Sequence, residues 1–411
     1  MKKTLTTIAF VAGVTVSLMA QTTWQPHSLV SEYWPNNDIK SYGGKLYVAS
    51  NDGLFSSSDN GNTWTDLTSG FSGYSDLVEI QFTNAGNIFV RKNSFGIIRS
   101  LDGGSTWEYD TTGVGQNYGT DMLYYDGVSN KVFLGVGYPK YKLYYQSPND
   151  ASWTAVSNLP VGLNNFTPTQ MTRKAGKLFV TDVYKRVLES SDDGITWIQK
   201  TATGLGNADS QVGPSRFLSI GNDLYLGGGH VWKSTDDGDS WTAIDQGFPL
   251  QSRVYVDTRC LYHDGTKLYA STYTDRKTFE SNDNGTTWTD FGGSGEWFFK
   301  AMAVHNGSLY GVVHSKDSIY VYGNGTTGIS ESFGINNLSV YPNPAQDFMT
   351  VGNIPIGSTL NITDITGKTV YSSLIKSEQM TISTADFVNG IYIIQVAYNG
   401  ALTNKKLVIS K

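Results

Sequence analysis

Ser57-Ser58-Asp59-Asn60-Gly61-Asn62-Thr63-Trp64 decides the fold, because the chain repeats it. The phrase Ser-x-Asp-x-Gly-x-Thr-Trp returns at Ser100 to Trp107, Ser190 to Trp197, Ser234 to Trp241 and Ser281 to Trp288, with Ser240 replacing Thr. A worn copy runs from Ser147 to Trp153, one residue short, with Asn149 near the Asp position. The six tryptophans recur every 43 to 47 positions, the length of one supersecondary unit used over and over.

A second mark travels with the first. An apolar-aromatic pair follows a Gly- or Asn-containing turn at Leu46-Tyr47, Ile88-Phe89, Val132-Phe133, Leu178-Phe179, Leu224-Tyr225, Leu268-Tyr269 and Leu309-Tyr310. Short runs of Val, Ile, Tyr, Phe and Thr surround each pair, broken by Asn-Gly, Asp-Gly and Gly-Gly. That is strand and hairpin punctuation, and no long stretch has helical periodicity. Four short strands fit in one repeat, and four-stranded units set around a ring make a β-propeller. The predicted fold class is all-β: a seven-bladed β-propeller over residues 21–325, a linker at 326–336, and a small immunoglobulin-like β-sandwich over 337–411.

The repeated phrase resembles the Asp-box, or BNR, repeat of sialidase-like and sortilin-like propellers. The resemblance places each box in the turn between the third and fourth strands of a blade. It makes Asp59, Asp102, Asp192, Asp236 and Asp283 structural residues, together with Trp64, Trp107, Trp197, Trp241 and Trp288. The chemistry fits. An Asp at a tight turn accepts bonds from nearby backbone N–H groups, and Gly permits positive φ. Burying a Trp covers roughly 150–250 Å², an upper bound of about 4–6 kcal/mol, against about 1 kcal/mol for a turn cap. The box therefore reads as a fastener. The ligand spacing of a calcium loop is missing, and neither a metal nor a cofactor is expected.

The seventh unit explains the ends. After Leu309-Tyr310 the chain reads Tyr322-Gly323-Asn324-Gly325 and has no box Asp or Trp. Thr22-Thr23-Trp24 matches Thr286-Thr287-Trp288, so residues 22–30 are expected to supply the outer strand of the last blade.

Lys2, Lys3, the apolar stretch Thr4 to Leu18 and Ala20 read as an export signal over residues 1–20, too short for a membrane anchor. No other apolar run could span a bilayer, so the mature chain is expected to be soluble, and a monomer. Charged residues make up 16% of the 411, with a formal net charge of −6, which disfavours general nucleic-acid binding. Cys260 is the one cysteine and is expected to be a buried small residue rather than a catalytic thiol.

The last seventy-five residues change character. They carry Leu338-Ser339-Val340-Tyr341-Pro342-Asn343-Pro344-Ala345, then Asp364-Ile365-Thr366-Gly367-Lys368, Asn389-Gly390-Ile391-Tyr392 and a basic end from Lys405 to Lys411. This stretch resembles the type A C-terminal sorting domain of the type IX secretion system. The resemblance implies passage across the outer membrane after Sec export to the periplasm, and an extracellular or cell-surface location. The secretion machinery is then one partner.

Strand parity puts the boxes on one face of the ring and the long segments, such as Ser157 to Gln170 and Thr203 to Arg216, on the other. Three tryptophans fall outside the boxes and the closing strand: Trp34, Trp232 and Trp297. Exposed on the long-loop face they would stack on sugar rings; buried, they would pack against a neighbouring blade. The hairpins of that face carry Arg91, Lys92, Lys140, Lys142, Lys185, Arg186, His230, Arg276, Lys277, His314 and Lys316. Together with Arg216 and Arg253, this bias favours an anionic glycan or polysaccharide, unless the charges are merely solvated.

Three functions stay open: a glycan- or surface-binding module, a protein-interaction scaffold, and a glycoside hydrolase of sialidase-like or xyloglucanase-like type. For the hydrolase, Arg173, Arg216, Arg253 and Arg259 could contribute to an arginine triad. Asp76, Glu79, Asp121, Asp182, Asp209, Asp257, Asp275 and Glu296 lie near the loop face, but sequence does not pair them. The Arg-Ile-Pro signature usual in sialidases is absent.

Overall fold

The computed structural model describes residues 24–28, 36–68, 76–93, 96–115, 119–205, 213–248, 256–292, 298–314, 318–322 and 338–411, apart from 353, 355, 356, 366, 378, 399 and 400. The expected export signal at 1–20 and linker at 326–336 lie outside them. Every helix or strand assigned among these residues is a strand, so the chain is all-β.

Each repeat folds as a four-stranded antiparallel meander. The first runs Asn36–Tyr42, Lys45–Ser50, Gly53–Ser57 and Thr65–Asp66. Its second and third strands are buried almost throughout, without inside-outside alternation. That pattern arises when both faces of a sheet are covered by neighbours. The fourth strand has two residues and lies at the outer edge.

Among the described residues seven such sheets occur between Trp24 and Tyr322. Their first strands are Asn36–Tyr42, Leu77–Phe82, Thr120–Asp126, Pro168–Lys174, Arg216–Ile220, Thr258–His263 and Phe299–His305. Each first strand lies against the next, and the seventh lies against the first. Side chains bridge the seams. Asp38 Oδ2 accepts the Ile80 N–H at 2.9 Å, Glu79 Oε2 the Leu123 N–H at 3.0 Å, and Tyr262 Oη the Val304 N–H at 2.9 Å. These bonds satisfy backbone donors that no ladder reaches.

The seventh sheet takes its outer strand from the other end of the chain, as expected from Trp24. Trp24–Ser28 pairs antiparallel with Ser318–Tyr322, from Trp24 opposite Tyr322 to Ser28 opposite Ser318. The Trp24 ring sits 4.4 Å from Phe299, 5.3 Å from Tyr322 and 5.8 Å from Phe291, centroid to centroid.

The repeated phrase builds one turn five times. In the first, Ser57 Oγ donates to Asp59 Oδ1 at 2.7 Å and accepts the Gly61 N–H at 2.8 Å. The same Oδ1 accepts the Thr63 N–H at 2.8 Å, and Oδ2 accepts the Thr63 hydroxyl at 2.6 Å. Asp102, Asp192, Asp236 and Asp283 repeat the arrangement. At Gly194, with φ 84°, an added Cβ would stand 2.7 Å from the Phe133 ring of the preceding sheet. The tryptophans work in two ways. Trp64, Trp197 and Trp241 donate Nε1–H to the Gly carbonyl of their own box. Trp107, Trp153 and Trp288 donate to Leu67, Asp110 and Ile244 of the preceding sheet. In the worn copy Asp150, not Asn149, closes the turn: its Oδ2 accepts the Ser147 N–H, while Asn149 Oδ1 accepts from Asn87 of the sheet before. The deleted residue moved the acid by one position, which spacing alone misassigns.

The C-terminal region contains two sheets, Ser339–Tyr341, Phe348–Gly352 and Gln379–Ser383, then Thr369–Leu374, Thr359–Asp364, Gly390–Tyr398 and Ala401–Ile409. One apolar cluster, including Met349, Val351, Ile362, Ile394 and Leu407, lies between them. The marked motifs are fasteners. Asn343 accepts the Val408 N–H and donates to the Lys406 carbonyl, Asp364 Oδ1 accepts the Lys368 N–H, and Asn389 Oδ1 accepts the Lys411 N–H.

Two outcomes follow. Deleting residues 24–28 exposes the edge Ser318–Tyr322 and frees the aromatic group around Trp24, so the melting temperature should fall by at least about 5 °C; an unchanged value would refute the closure. The five box aspartates are held at about 2 against an ordinary 3.8, chiefly by the Thr or Ser hydroxyl and N–H, with burial opposing, and burial leads at Asp192. A depressed folded pKa means the stabilisation is complete above about pH 4 and drains away as pH falls through 2. Thermal melts between pH 5 and 2 should show that decline, and Asp-to-Asn changes at the boxes should flatten it.

Candidate functional site

The first strands share a defect at the end opposite the box turns. In six of the seven, the register against the second strand skips one residue: Asn37, Val78, Asp121, Thr169, Arg259 and Lys300. A β-bulge leaves one residue unpaired and re-aims its side chain. The fifth sheet pairs without a skip and begins with Arg216 opposite Gly227, one register step past the skipped positions, where Cys260 and Ala301 stand in the next two sheets. Six sheets thus set a re-aimed residue at one end of their first strands, and Arg216 stands one step farther in. The cations Arg216, Arg259 and Lys300 come from consecutive sheets.

Those three line a cavity of about 440 Å³, together with Asn37, Val78, Arg91, Tyr273, Phe298 and His314. A second cavity of about 350 Å³ shares Arg216 and is lined by residues farther along the first strands, including Asp38, Lys40, Cys260 and Ala301. The first is therefore the mouth and the second the passage behind it.

Charge in the mouth is compensated unevenly. Arg91 Nε lies 3.0 Å from Glu79 Oε2, and Arg259 Nε lies 2.6 Å from Asp257 Oδ1. Among the described residues Arg216 bonds the carbonyls of Ser215 at 3.3 Å and Lys300 at 3.4 Å. Lys300 Nζ donates to Asn37 Oδ1 at 2.5 Å, across the contact between the seventh and first sheets. Among the described residues neither Arg216 nor Lys300 has a carboxylate within ion-pair distance. Burial, and then Arg216, hold the Lys300 pKa below its ordinary value. Burial, then Lys300, Arg259 and Arg276, lower that of His314. One wall is aromatic: Phe298 stacks on His314 at 4.9 Å, Tyr273 meets Phe298 edge-on at 5.4 Å, and Arg259 sits 5.4 Å over Tyr273, which is 38% exposed.

The residues expected from sequence divide. Arg216 lines the mouth, and Arg276 is exposed and close enough to depress His314. Trp34, Arg253 and Trp297 lie outside the described residues. Trp232 corrects the stacking expectation: it is 3% exposed and packs with Phe217, Leu226 and Trp241. His230 does not join the mouth lining; its Nδ1 lies 3.0 Å from Asp245 Oδ2, edge-on to Trp232. Arg173 is likewise no partner of Arg216, being held by Asp126 and Asp193 at the box end. Several hairpin cations are neutralised, Arg186 by Asp182 and Lys277 by Asp290. Glu79, Asp182 and Asp257 already serve arginines. Cys260 is fully buried, its thiol pushed up to about 11 by desolvation.

Asn37, Lys300, Tyr273 and Phe298 were missed. A signal existed for the skipped residues: they stand 9 to 11 positions before the apolar-aromatic pairs, as Lys300 does before Leu309. No sequence cue marks the register skip itself.

Comparison with curated proteins finds no matching sequence. Several solved structures share the fold. PorZ of Porphyromonas gingivalis, described as an essential surface component of the type IX secretion system, aligns with a TM-score of 0.51 at 16% identity. That alignment covers 91% of this chain and 59% of PorZ, so the chain spans well under two thirds of that protein. YCF48 from Cyanidioschyzon merolae gives 0.55 at 11%, covering 73% and 98%. The GH74 xyloglucanase of Xanthomonas campestris gives 0.57 at 15%, covering 81% and 60%. At these identities the likeness is one of fold, and the fold is β-propeller-like. Residues 339–410 match the family described as the secretion system C-terminal sorting domain, and this tail marks the chain for export by the type IX system to the cell surface or beyond.

Proposed function

We propose that the chain is a seven-bladed Asp-box propeller with an immunoglobulin-like sorting domain, and that its mouth binds an acidic ligand outside the cell. An anionic glycan fits best. The observation that carries this reading is the run Arg216, Arg259, Lys300 at the mouth, with two of the three lacking a carboxylate partner among the described residues. Crowding cations where Arg216 and Lys300 are half-buried costs stability, and an arriving anion offsets that cost. The aromatic wall adds a surface for the apolar side of a sugar ring.

Hydrolysis fares worse, although the GH74 xyloglucanase is similar in fold. The described lining of the cavity holds no carboxylate; Asp121, skipped at that end of the third sheet and near Arg91, is one beside it, and glycoside hydrolysis needs two at a set separation. A protein partner fits the same charge if it presents an acidic terminus or loop. PorZ, a secretion-system component, and YCF48, solved with a D1 peptide, give that alternative its interest.

Titration calorimetry with glucuronic-acid oligosaccharides and their neutral counterparts tests the reading. The acidic series should bind and weaken with salt. Arg216→Gln should cost about 1.5–3 kcal/mol of binding, tenfold or more, while leaving the melting temperature unchanged or raised. Equal binding of neutral and acidic sugars would contradict it. For the tail, residues 330–411 fused to a reporter should carry it across the outer membrane, and retention in the periplasm would count against the sorting role.

A further inference from the structure

We propose that Lys300 is a reactive amine that captures anionic carbonyl compounds, 2-oxo acids or phosphorylated aldehydes, as an imine at the mouth. The inference rests on the anion reading of the same cavity and adds a covalent chemistry to it.

Placement comes first. The register skip at Lys300 puts its side chain in the mouth, where Nζ donates to Asn37 Oδ1 and the neighbouring basic groups are Arg216, Arg259 and His314. Six other lysines of the propeller region hold carboxylates. Lys174 and Lys177 hold Asp237, Lys200 holds Asp239, Lys233 holds Asp223, Lys267 holds Glu280 and Lys277 holds Asp290. Those partners keep Lys177, Lys200, Lys233 and Lys277 more firmly protonated than usual, whereas burial and Arg216 push Lys300 the other way. A lysine desolvated beside another cation is the arrangement that yields a free, nucleophilic amine.

Lys185 provides the contrast. Burial lowers its pKa too, but it is only 5% exposed. It lies 5.1 Å over the Trp232 ring, and the adjacent Arg186 is already held by Asp182. Lys300 alone of the two combines an open cavity with a guanidinium, Arg216, that has no carboxylate partner among the described residues.

The step balances without a further reactant. The neutral Nζ attacks the carbonyl carbon and gives a carbinolamine. The former carbonyl oxygen then leaves as water, carrying both amine hydrogens, and the C=N bond remains. Water reverses the reaction. Arg216 and Arg259 hold the carboxylate or phosphate, which brings the carbonyl to Nζ.

The test treats the whole chain with pyridoxal 5′-phosphate, traps with borohydride and maps labelled peptides over time. Lys300 should label about tenfold faster than exposed lysines such as Lys45, and pyridoxal without its phosphate should lose that advantage. Pyruvate with borohydride, read as a mass increment on the same peptide, separates 2-oxo acids from phosphorylated aldehydes. Lys300→Arg should abolish the label, and Lys45→Arg should leave both the label on Lys300 and glucuronate binding unchanged. Uniform labelling, or Lys185 labelling first, would overturn the amine proposal while leaving anion binding intact. Glucuronate that neither binds nor slows the label would instead overturn the anion reading beneath it.

Discussion

Pairing between Trp24–Ser28 and Ser318–Tyr322 is the constraint on which the rest depends. A row of sheets packed face to face leaves an uncovered sheet at each end. This pairing joins the two ends of the chain within one sheet, and its aromatic group, Trp24 with Phe299 and Tyr322, fixes the join. The seventh and first sheets then meet. The mouth needs that meeting, because Asn37 of the first and Lys300 of the seventh touch at 2.5 Å. Fold and site are thus one problem: without the join, the cations of three sheets face no opposite wall.

The two ends of the first strands carry different chemistry. At the box end polar groups are matched in the first six sheets, with the five box aspartates each taking an N–H and a hydroxyl and the six box tryptophans each donating to a carbonyl. At the mouth matching is withheld, since Arg216 and Lys300 bond carbonyl oxygens where carboxylates would neutralise them. Strongly satisfied turns stabilise a scaffold that can hold poorly compensated charge elsewhere, a common division between scaffold and function.

The period, the strand pattern and the closing strand were legible because each rests on local chemistry. A Gly with positive φ, an Asp at a turn and a Trp at fixed spacing leave marks within eight residues. The mouth was only half legible. Arg216 was marked, but Trp232 stayed open between a stacking surface and a packed ring and is core, because sequence does not say which side of a tightly packed sheet a large ring faces. Arg173 was grouped with Arg216, yet it stands at the far end of its strand beside Asp126 and Asp193. Lys300 and Asn37 were missed because a bulge is a property of two strands in register, and neither strand alone records it.

Backbone hydrogen exchange, compared with and without a saturating glucuronic-acid oligosaccharide, tests the central claim most directly. The account predicts slowed exchange at the starts of the strands Arg216–Ile220, Thr258–His263 and Phe299–His305, with the box turns unchanged. Protection confined to the box turns, or none at the three cationic sheets while the ligand is bound, would contradict it.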